Sequence, residues 1–314
     1  MGQITNRNRK YRFLKFLSLF LLVFLTAAIS YIYGAHSYPR NTAPIIILKA
    51  AKEYLASKVS TENYDAFGRL VKFPGKIQIA CPPQTQNTGV ILAIGQSNSA
   101  NHATKRFTTQ YPQKVFNYFD GNCYVASSPL LGASGDEGEF ITLTADKLIK
   151  DDIYQAVVIV SSGIAGSPIS RWQADGDLNE MLLATLRPLQ SKYKVTDIIW
   201  HQGESDFGNS TSSKVYRNSF DSLLQSLEKI GLFAPAYVAV TTKCGPNPNW
   251  KLDSPTAIGQ KSLANGTTIF LAANTDALLT RTDRRENDCH LSESGQIKVS
   301  TAYADAIEKH RKGK

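Results

Sequence analysis

Ser97 stands where an apolar run breaks: Val90-Ile91-Leu92-Ala93-Ile94 is followed at once by Gly95-Gln96-Ser97-Asn98-Ser99. A serine on a tight turn at the end of a strand projects its hydroxyl from the sheet edge and leaves adjacent backbone N–H groups free to meet an oxyanion. The same serine can also do no more than cap the next helix. Near the other end of the chain, Asn287-Asp288-Cys289-His290-Leu291-Ser292 puts a histidine, one of only five, at the mouth of a predicted helix. An imidazole can take a hydroxyl proton near neutral pH, and a neighbouring carboxylate would fix its tautomer and stabilise its charged form. A surface histidine with no chemical task is the competing reading.

Two more polar blocks follow apolar runs. In Gly163-Ile164-Ala165-Gly166-Ser167-Pro168-Ile169-Ser170-Arg171-Trp172, a glycine can bring a backbone N–H close to a ligand with no side chain in the way, or can serve only a turn. In Trp200-His201-Gln202-Gly203-Glu204-Ser205-Asp206, the amide of Gln202 can supply a further oxyanion donor. So many polar groups directly after an apolar strand are hard to explain by packing.

The elements that must position these blocks are legible from hydropathy. Residues 89–94, 156–161, 197–200, 236–241 and 268–273 are short apolar, β-branched runs without strict alternation, the pattern of buried parallel strands. Residues 139–150, 178–193, 216–230 and 295–309 carry helical spacing between them, with Ser294-Gly295 opening the last helix. Strand alternating with helix predicts an α/β three-layer sandwich around a central, mostly parallel five-stranded sheet of doubly wound, flavodoxin-like type. Ligands bind beyond the carboxyl ends of such strands, where all four polar blocks fall.

The 314 residues are 42% hydrophobic and 19% charged, ordinary for a folded chain, so disorder is not expected. The net charge of +9 sits in two tails: Arg7, Arg9, Lys10, Arg12 and Lys15 at one end, Lys309, Arg311, Lys312 and Lys314 at the other. The body between them is neutral, which argues against a nucleic-acid groove. Residues 16–34 form a charge-free apolar run behind the first basic cluster, about 28 Å long as a helix. The expected organisation is a cytoplasmic tail over 1–15, a transmembrane signal-anchor over 16–34, a stalk and lead-in segment over 35–84, and a catalytic domain over 85–314. A cleaved signal peptide is the alternative for the apolar run. In either case the domain faces the periplasm, a lumen or the exterior, where disulfides form.

Four cysteines, Cys81, Cys123, Cys244 and Cys289, allow three pairings, among which spacing alone does not choose. Cys244 follows the fourth predicted strand and Cys289 adjoins His290, so a shared sheet edge favours Cys244–Cys289, leaving Cys81–Cys123. No metal-ligand spacing and no glycine-rich phosphate loop occurs, so neither a metal nor a cofactor is expected.

Together the four blocks resemble the SGNH-hydrolase superfamily, and most closely its sialate O-acetylesterase-like, carbohydrate acetylesterase branch, over roughly residues 85 to 310. The resemblance implies that Ser97 attacks an acyl ester, that His290 moves the proton, and that Asp288 orients His290. It also implies that the N–H groups of Ser97 and Gly166, with Gln202, hold the oxyanion, with Asn98, Arg171 and Glu204 in support. Two departures stand out: relatives often place the acid three residues before the histidine, where this chain has Asn287, and the usual block-three asparagine is Gln202 here. Glu204 is the reserve acid. The implied activity is removal of O-acetyl groups from a glycan, with transfer to a sugar hydroxyl or mere glycan binding as alternatives. An ordinary imidazole base would give a rate rising through about pH 6 to 7.

Overall fold

The computed structural model describes residues 63–313, together with residues 25, 26, 30 and 31. The chain divides into a unit spanning Met1–Thr61 and a compact unit spanning Glu62–Lys314. The expected tail and all but four residues of the expected anchor lie outside the described residues, and no described helix is long and apolar enough to cross a membrane.

The compact unit is built on one eight-stranded sheet in the order β1-β4-β3-β5-β2-β6-β7-β8. Its six parallel strands are β2 (Thr88–Gly95), β3 (Val115–Phe119), β5 (Ala156–Ser161), β6 (Asp197–His201), β7 (Ala236–Val240) and β8 (Ile269–Asn274). All eight residues of β2 are buried, because the strand lies mid-sheet with helices over both faces. Val90, Leu92 and Ile94 point to one face and Ile91 and Ala93 to the other, so a run that looks uniformly apolar still divides its side chains between two cores.

On the first face lie α2 (Asp177–Leu189) and α4 (Ser213–Glu228), contributing Leu178, Leu182, Leu186, Phe220, Leu223 and Leu227. On the second lie α1 (Ile141–Lys150) and α7 (Glu293–Lys312), contributing Ile141, Ala145, Leu148, Val299, Tyr303 and Ile307. Three shorter helices sit in the loops: α3 (Glu204–Gly208), α5 (Pro255–Lys261) and α6 (Thr275–Leu278). The last long helix begins two residues earlier than its apolar spacing suggests, because Ser292 is its cap and accepts the N–H of Gly295.

The sheet is larger than the five strands expected. The five apolar runs are all strands, but β3 and β4 (Asn122–Val125) form an additional hairpin and β1 (Gln78–Ile79) pairs antiparallel with β4. The hairpin turns on Asp120-Gly121, both at positive φ, which is the strongest short-range hairpin signal a sequence carries. Residues ahead of the expected domain boundary pack into the same unit: Leu70 is fully buried and Cys81 is bridged to Cys123 on β4. The second bridge joins Cys244 to Cys289, so both favoured pairings form.

Chain order and strand order diverge around β2, whose neighbours are β5 on one side and β6 on the other. The loops leaving these three strands therefore meet at the reversal point where doubly wound sheets bind ligands. Replacing Cys81 and Cys123 together by serine is expected to lower unfolding free energy by about 2–4 kcal/mol, since the bridge closes a long loop. Urea denaturation of the oxidised protein measures this, and an unchanged midpoint would remove any stabilising role for that bridge.

Candidate active site

The strand β2 ends in a glycine that no other residue can replace. Gly95 has φ of +132°, and a Cβ there would lie 2.2 Å from the carbonyl oxygen of His201 on the adjoining strand. The close passage lets the chain turn tightly into the single 3-10 turn Ser97–Ser99. Gln96 N–H donates to the His201 carbonyl at 3.1 Å and Ser99 Oγ to the Gln96 carbonyl at 2.8 Å, fixing the turn on both sides. Ser97 is 5% exposed, and its hydroxyl makes no hydrogen bond among the described residues. A nearly buried hydroxyl without a structural partner is not acting as a helix cap.

Asn98 joins this turn to the histidine loop. Its Nδ2 donates to the Cys289 carbonyl at 3.2 Å, and its Oδ1 accepts the Leu291 N–H at 3.3 Å, so one carboxamide grips the backbone on both sides of His290. Arg284, itself buried, donates to the same Cys289 carbonyl at 3.2 Å and to the Lys243 carbonyl at 3.1 Å. The Cys244–Cys289 bridge and a hydrogen bond from Gly245 N–H to the Asp288 carbonyl at 3.0 Å tie the loop to the segment after β7. The histidine loop is thereby held against the turn that carries Ser97, and no hydrogen bond joins the Ser97 and His290 side chains among the described residues. Such contacts are often loose until substrate is bound.

The ring of His290 is half-buried and stacks on His102, centroids 5.5 Å apart and planes 24° from parallel. Burial is the main cause that pulls its pKa down to about 4, helped by the nearby His102 and the positive charge of Arg285 and opposed by Glu137. The partner at Nδ1 is Asn287, whose Nδ2 lies 2.9 Å away. Asp288, expected to orient the ring, does not reach it. Its backbone is left-handed, with φ of +54°, and the carboxylate is turned towards Lys243 at 3.4 Å and Arg281 at 3.9 Å.

The reserve acid, Glu204, is also directed elsewhere. Its Oε1 accepts from Asn98 Nδ2 at 2.7 Å and Thr241 Oγ1 at 3.1 Å, while Oε2 is buried without a partner. Burial pushes its pKa up to about 7, a rise held back by the Asn98 hydrogen bond. Glu204 therefore acts on the site through Asn98.

The expected oxyanion donors divide. The N–H groups of Ser97 and Gly166 donate to no acceptor among the described residues, and Gly166, at φ of +67°, is exposed with nothing within 4 Å of where a Cβ would stand. Gln202 is fully buried and its amide N–H groups are spent on the Ser167 carbonyl at 3.0 Å and on the Asp206 carboxylate. Its Oε1 accepts the Tyr216 hydroxyl at 2.9 Å. An amide with both hydrogens engaged inside the fold has none for a substrate, so the structure does not place Gln202 as an oxyanion donor. Arg171 is half-buried and forms a two-point pair with Asp177, at 3.0 and 2.6 Å. Among the described residues, no three His, Cys, Asp or Glu side chains gather as metal ligands would.

Residues 87–309 match the family described as carbohydrate esterase, sialic acid-specific acetylesterase. The chain belongs to this family. As a member it is a carboxylic ester hydrolase of the carbohydrate acetylesterase type. Among solved structures it is similar to a protein from Arabidopsis thaliana at 16% identity and TM-score 0.55, covering 73% of this chain and 99% of that one. It is similar to NanS at 16% identity and TM-score 0.51, covering 72% and 98%. It also resembles a carbohydrate acetylesterase from Xanthomonas citri at 18% identity and TM-score 0.50, covering 72% of this chain and 57% of that one. At these identities the likenesses establish the fold. No curated protein matches the chain.

Several working parts of this acetylesterase-family site carry no sequence signal of their own. Arg284 and His102 sit in polar loops, and nothing in their spacing tells that one grips the Cys289 carbonyl and the other stacks on His290. Asn98 is the residue whose loss should be felt first. Asn98→Ala leaves the buried Leu291 N–H without its acceptor, at about 1–3 kcal/mol for an unsatisfied group, and takes one donor each from the Cys289 carbonyl and Glu204 Oε1, which keep Arg284 and Thr241. A lowered urea midpoint and a fall in kcat larger than any change in KM are expected, and a variant matching the wild type in both would show that the clamp does not hold the two halves together.

Proposed function

We propose that this chain hydrolyses O-acetyl esters of a carbohydrate, with Ser97 as the nucleophile and His290 as the group that moves the proton. The observation that carries the reading is the Ser97 hydroxyl, unpartnered within a pinned turn, with the open N–H groups of Ser97 and Gly166 on neighbouring loops. Ser97 Oγ attacks the acetyl carbonyl carbon while His290, in the tautomer that leaves Nε2 bare, takes its proton there. The tetrahedral oxyanion is met by the two backbone N–H groups, as preorganised donors do in acyl transfer. Collapse breaks the bond to the sugar oxygen, which leaves with the proton from Nε2. Water then attacks the acetyl-Ser97 ester, giving its proton to the same nitrogen, and acetate departs as Ser97 Oγ is reprotonated.

O-acetylated sialic acid is the first substrate to test, since that sugar gives the family its description. We place the reaction outside the cytoplasm on two supports: both disulfides, which persist in oxidising compartments, and the charge-free run at residues 16–34 behind a basic cluster, which suits a membrane anchor.

Two measurements test the reading. Ser97→Ala is expected to remove acetate release from aryl and sugar acetates without altering the unfolding midpoint, and a folded variant that releases acetate at the wild-type rate ends it. The pH profile separates a buried base from an ordinary one. With the His290 pKa lowered to about 4, the ring is neutral above that value, so activity should hold from about pH 5 upward and fall on acidification through about 4. A limb centred on 6 to 7 would instead mark a solvated imidazole, or the ionisation of Glu204 at about 7. Repeating the profile with Glu204→Gln distinguishes those two.

A further inference from the structure

The side chain of Asn287 is oriented without ambiguity by its own loop. Its Oδ1 accepts the backbone N–H of Cys289 and of His290, each at 3.1 Å, and an N–H can be met only by the oxygen end of a carboxamide. The nitrogen end, Nδ2, is therefore the atom 2.9 Å from His290 Nδ1. Nδ2 carries two hydrogens and no lone pair to offer, so Nδ1 accepts, and a neutral imidazole accepting at Nδ1 holds its single proton on Nε2. Nε2 is the nitrogen that must be bare to receive the serine proton. Turning the amide over would set Nδ2 against two backbone N–H groups and give up both hydrogen bonds. Stacking on His102 further restrains the ring plane.

The charged form is disfavoured by the same contact, because an imidazolium would direct its Nδ1–H at another N–H. Among the described residues no carboxylate meets Nδ1: Asp288 is engaged by Lys243 and Arg281, and Glu204 by Asn98 and Thr241. Arg285 and His102 add positive or potentially positive neighbours, and Glu137 is the nearby acid, held by Arg285 at 3.1 Å.

We propose that Asn287 is a positioning residue that holds His290 in the tautomer with the proton on Nε2, so that proton transfer from Ser97 is restrained, and that a carboxylate at this position releases it. The proposal rests on the assignment of Ser97 and His290 above. An aspartate is nearly isosteric here. One oxygen can keep both backbone N–H groups while the other accepts Nδ1–H, leaving Nε2 bare and supporting the imidazolium that forms during attack.

The experiment uses the full chain as wild type, Asn287→Asp and Ser97→Ala, with 4-nitrophenyl acetate and with ¹⁵N-labelled histidine for NMR. Exchanging the orienting carboxylate of a serine hydrolase for its amide costs on the order of 10⁴ in kcat, so Asn287→Asp is expected to raise kcat by on the order of 10²–10⁴ with little change in KM. The imidazole spectrum is expected to report Nε2–H for His290 in the wild type and Nδ1–H in Asn287→Asp, a change that a purely structural asparagine would not produce. A wild-type His290 found as Nδ1–H overturns the proposal. So does a folded Asn287→Asp that is no faster than a wild type clearly exceeding Ser97→Ala. If neither wild type nor Asn287→Asp exceeds Ser97→Ala, the serine-esterase reading fails, and the imidazole spectrum alone decides the tautomer.

Discussion

The Asn98 carboxamide is the joint on which the site depends. Ser97 and His290 lie at opposite ends of the compact unit's sequence, and the sheet alone brings their loops only to the same edge. Asn98 converts that neighbourhood into a fixed geometry by bonding the backbone before and after His290 while a third contact anchors it to Glu204. A side chain next to Ser97 thus sets the position of the backbone around His290. Its strength comes from burial: in a low-dielectric setting a satisfied polar network is stiff, and an unsatisfied member is costly. Arg284 and the Cys244–Cys289 bridge brace the same stretch from the far side, so the loop is held from three directions.

Behind that joint lies a polar interior that accounts for the block after β6. Gln202 bonds Ser167, Asp206 and Tyr216. Gln260 Nε2 donates to the carbonyls of Gln202 and Thr241 at 2.7 and 3.1 Å, and Gln96 Oε1 accepts the Ser205 N–H at 3.1 Å. These groups satisfy loop backbone that the sheet cannot pair, because the strands end here and each leaves donors and acceptors open. The polar density that looks catalytic in the sequence is therefore largely the scaffold for three loops crossing at one sheet edge. Among the described residues of these loops, Ser97, Gly166 and His290 each present a group without internal employment.

This explains what could be read in advance. The five buried strands were legible because parallel strands covered on both faces become continuous apolar runs, and the four long helices because each covers one face. The β3–β4 hairpin escaped that criterion: its strands are short and broken by Asn117 and Asn122, and its Asp120-Gly121 turn is informative only when turn chemistry is weighed alongside hydropathy. At the site, residue types and order singled out Ser97, Gly166 and His290, the residues on which the proposed reaction rests. Direction was not legible. Asp288 is nearer in sequence to His290 than Asn287 is, yet a left-handed backbone at Asp288 turns its carboxylate away, and the two N–H groups that follow hold Asn287 in place. Gln202 fails for the same reason: a sequence names an amide but not the face to which its hydrogens point.

In the proposed reaction, the electrostatics of His290 divide the cycle unevenly. Attack on the carbonyl, first by Ser97 and then by water, needs a base, and burial that lowers the imidazole pKa to about 4 makes it a weak one. Collapse of each tetrahedral intermediate needs an acid, and the same depression makes the imidazolium a strong one. A sugar alkoxide is a poor leaving group, so expelling it draws most on that acidity, whereas activating a hydroxyl draws on the basicity the site has given up. A carboxylate at Nδ1 would restore basicity by favouring the charged ring. Asn287 instead offers a donor to Nδ1, which adds to the effect of burial rather than opposing it. In the proposed reaction the barrier is thereby concentrated in attack in both half-reactions, the steps on which the contact between Asn287 and Nδ1 bears.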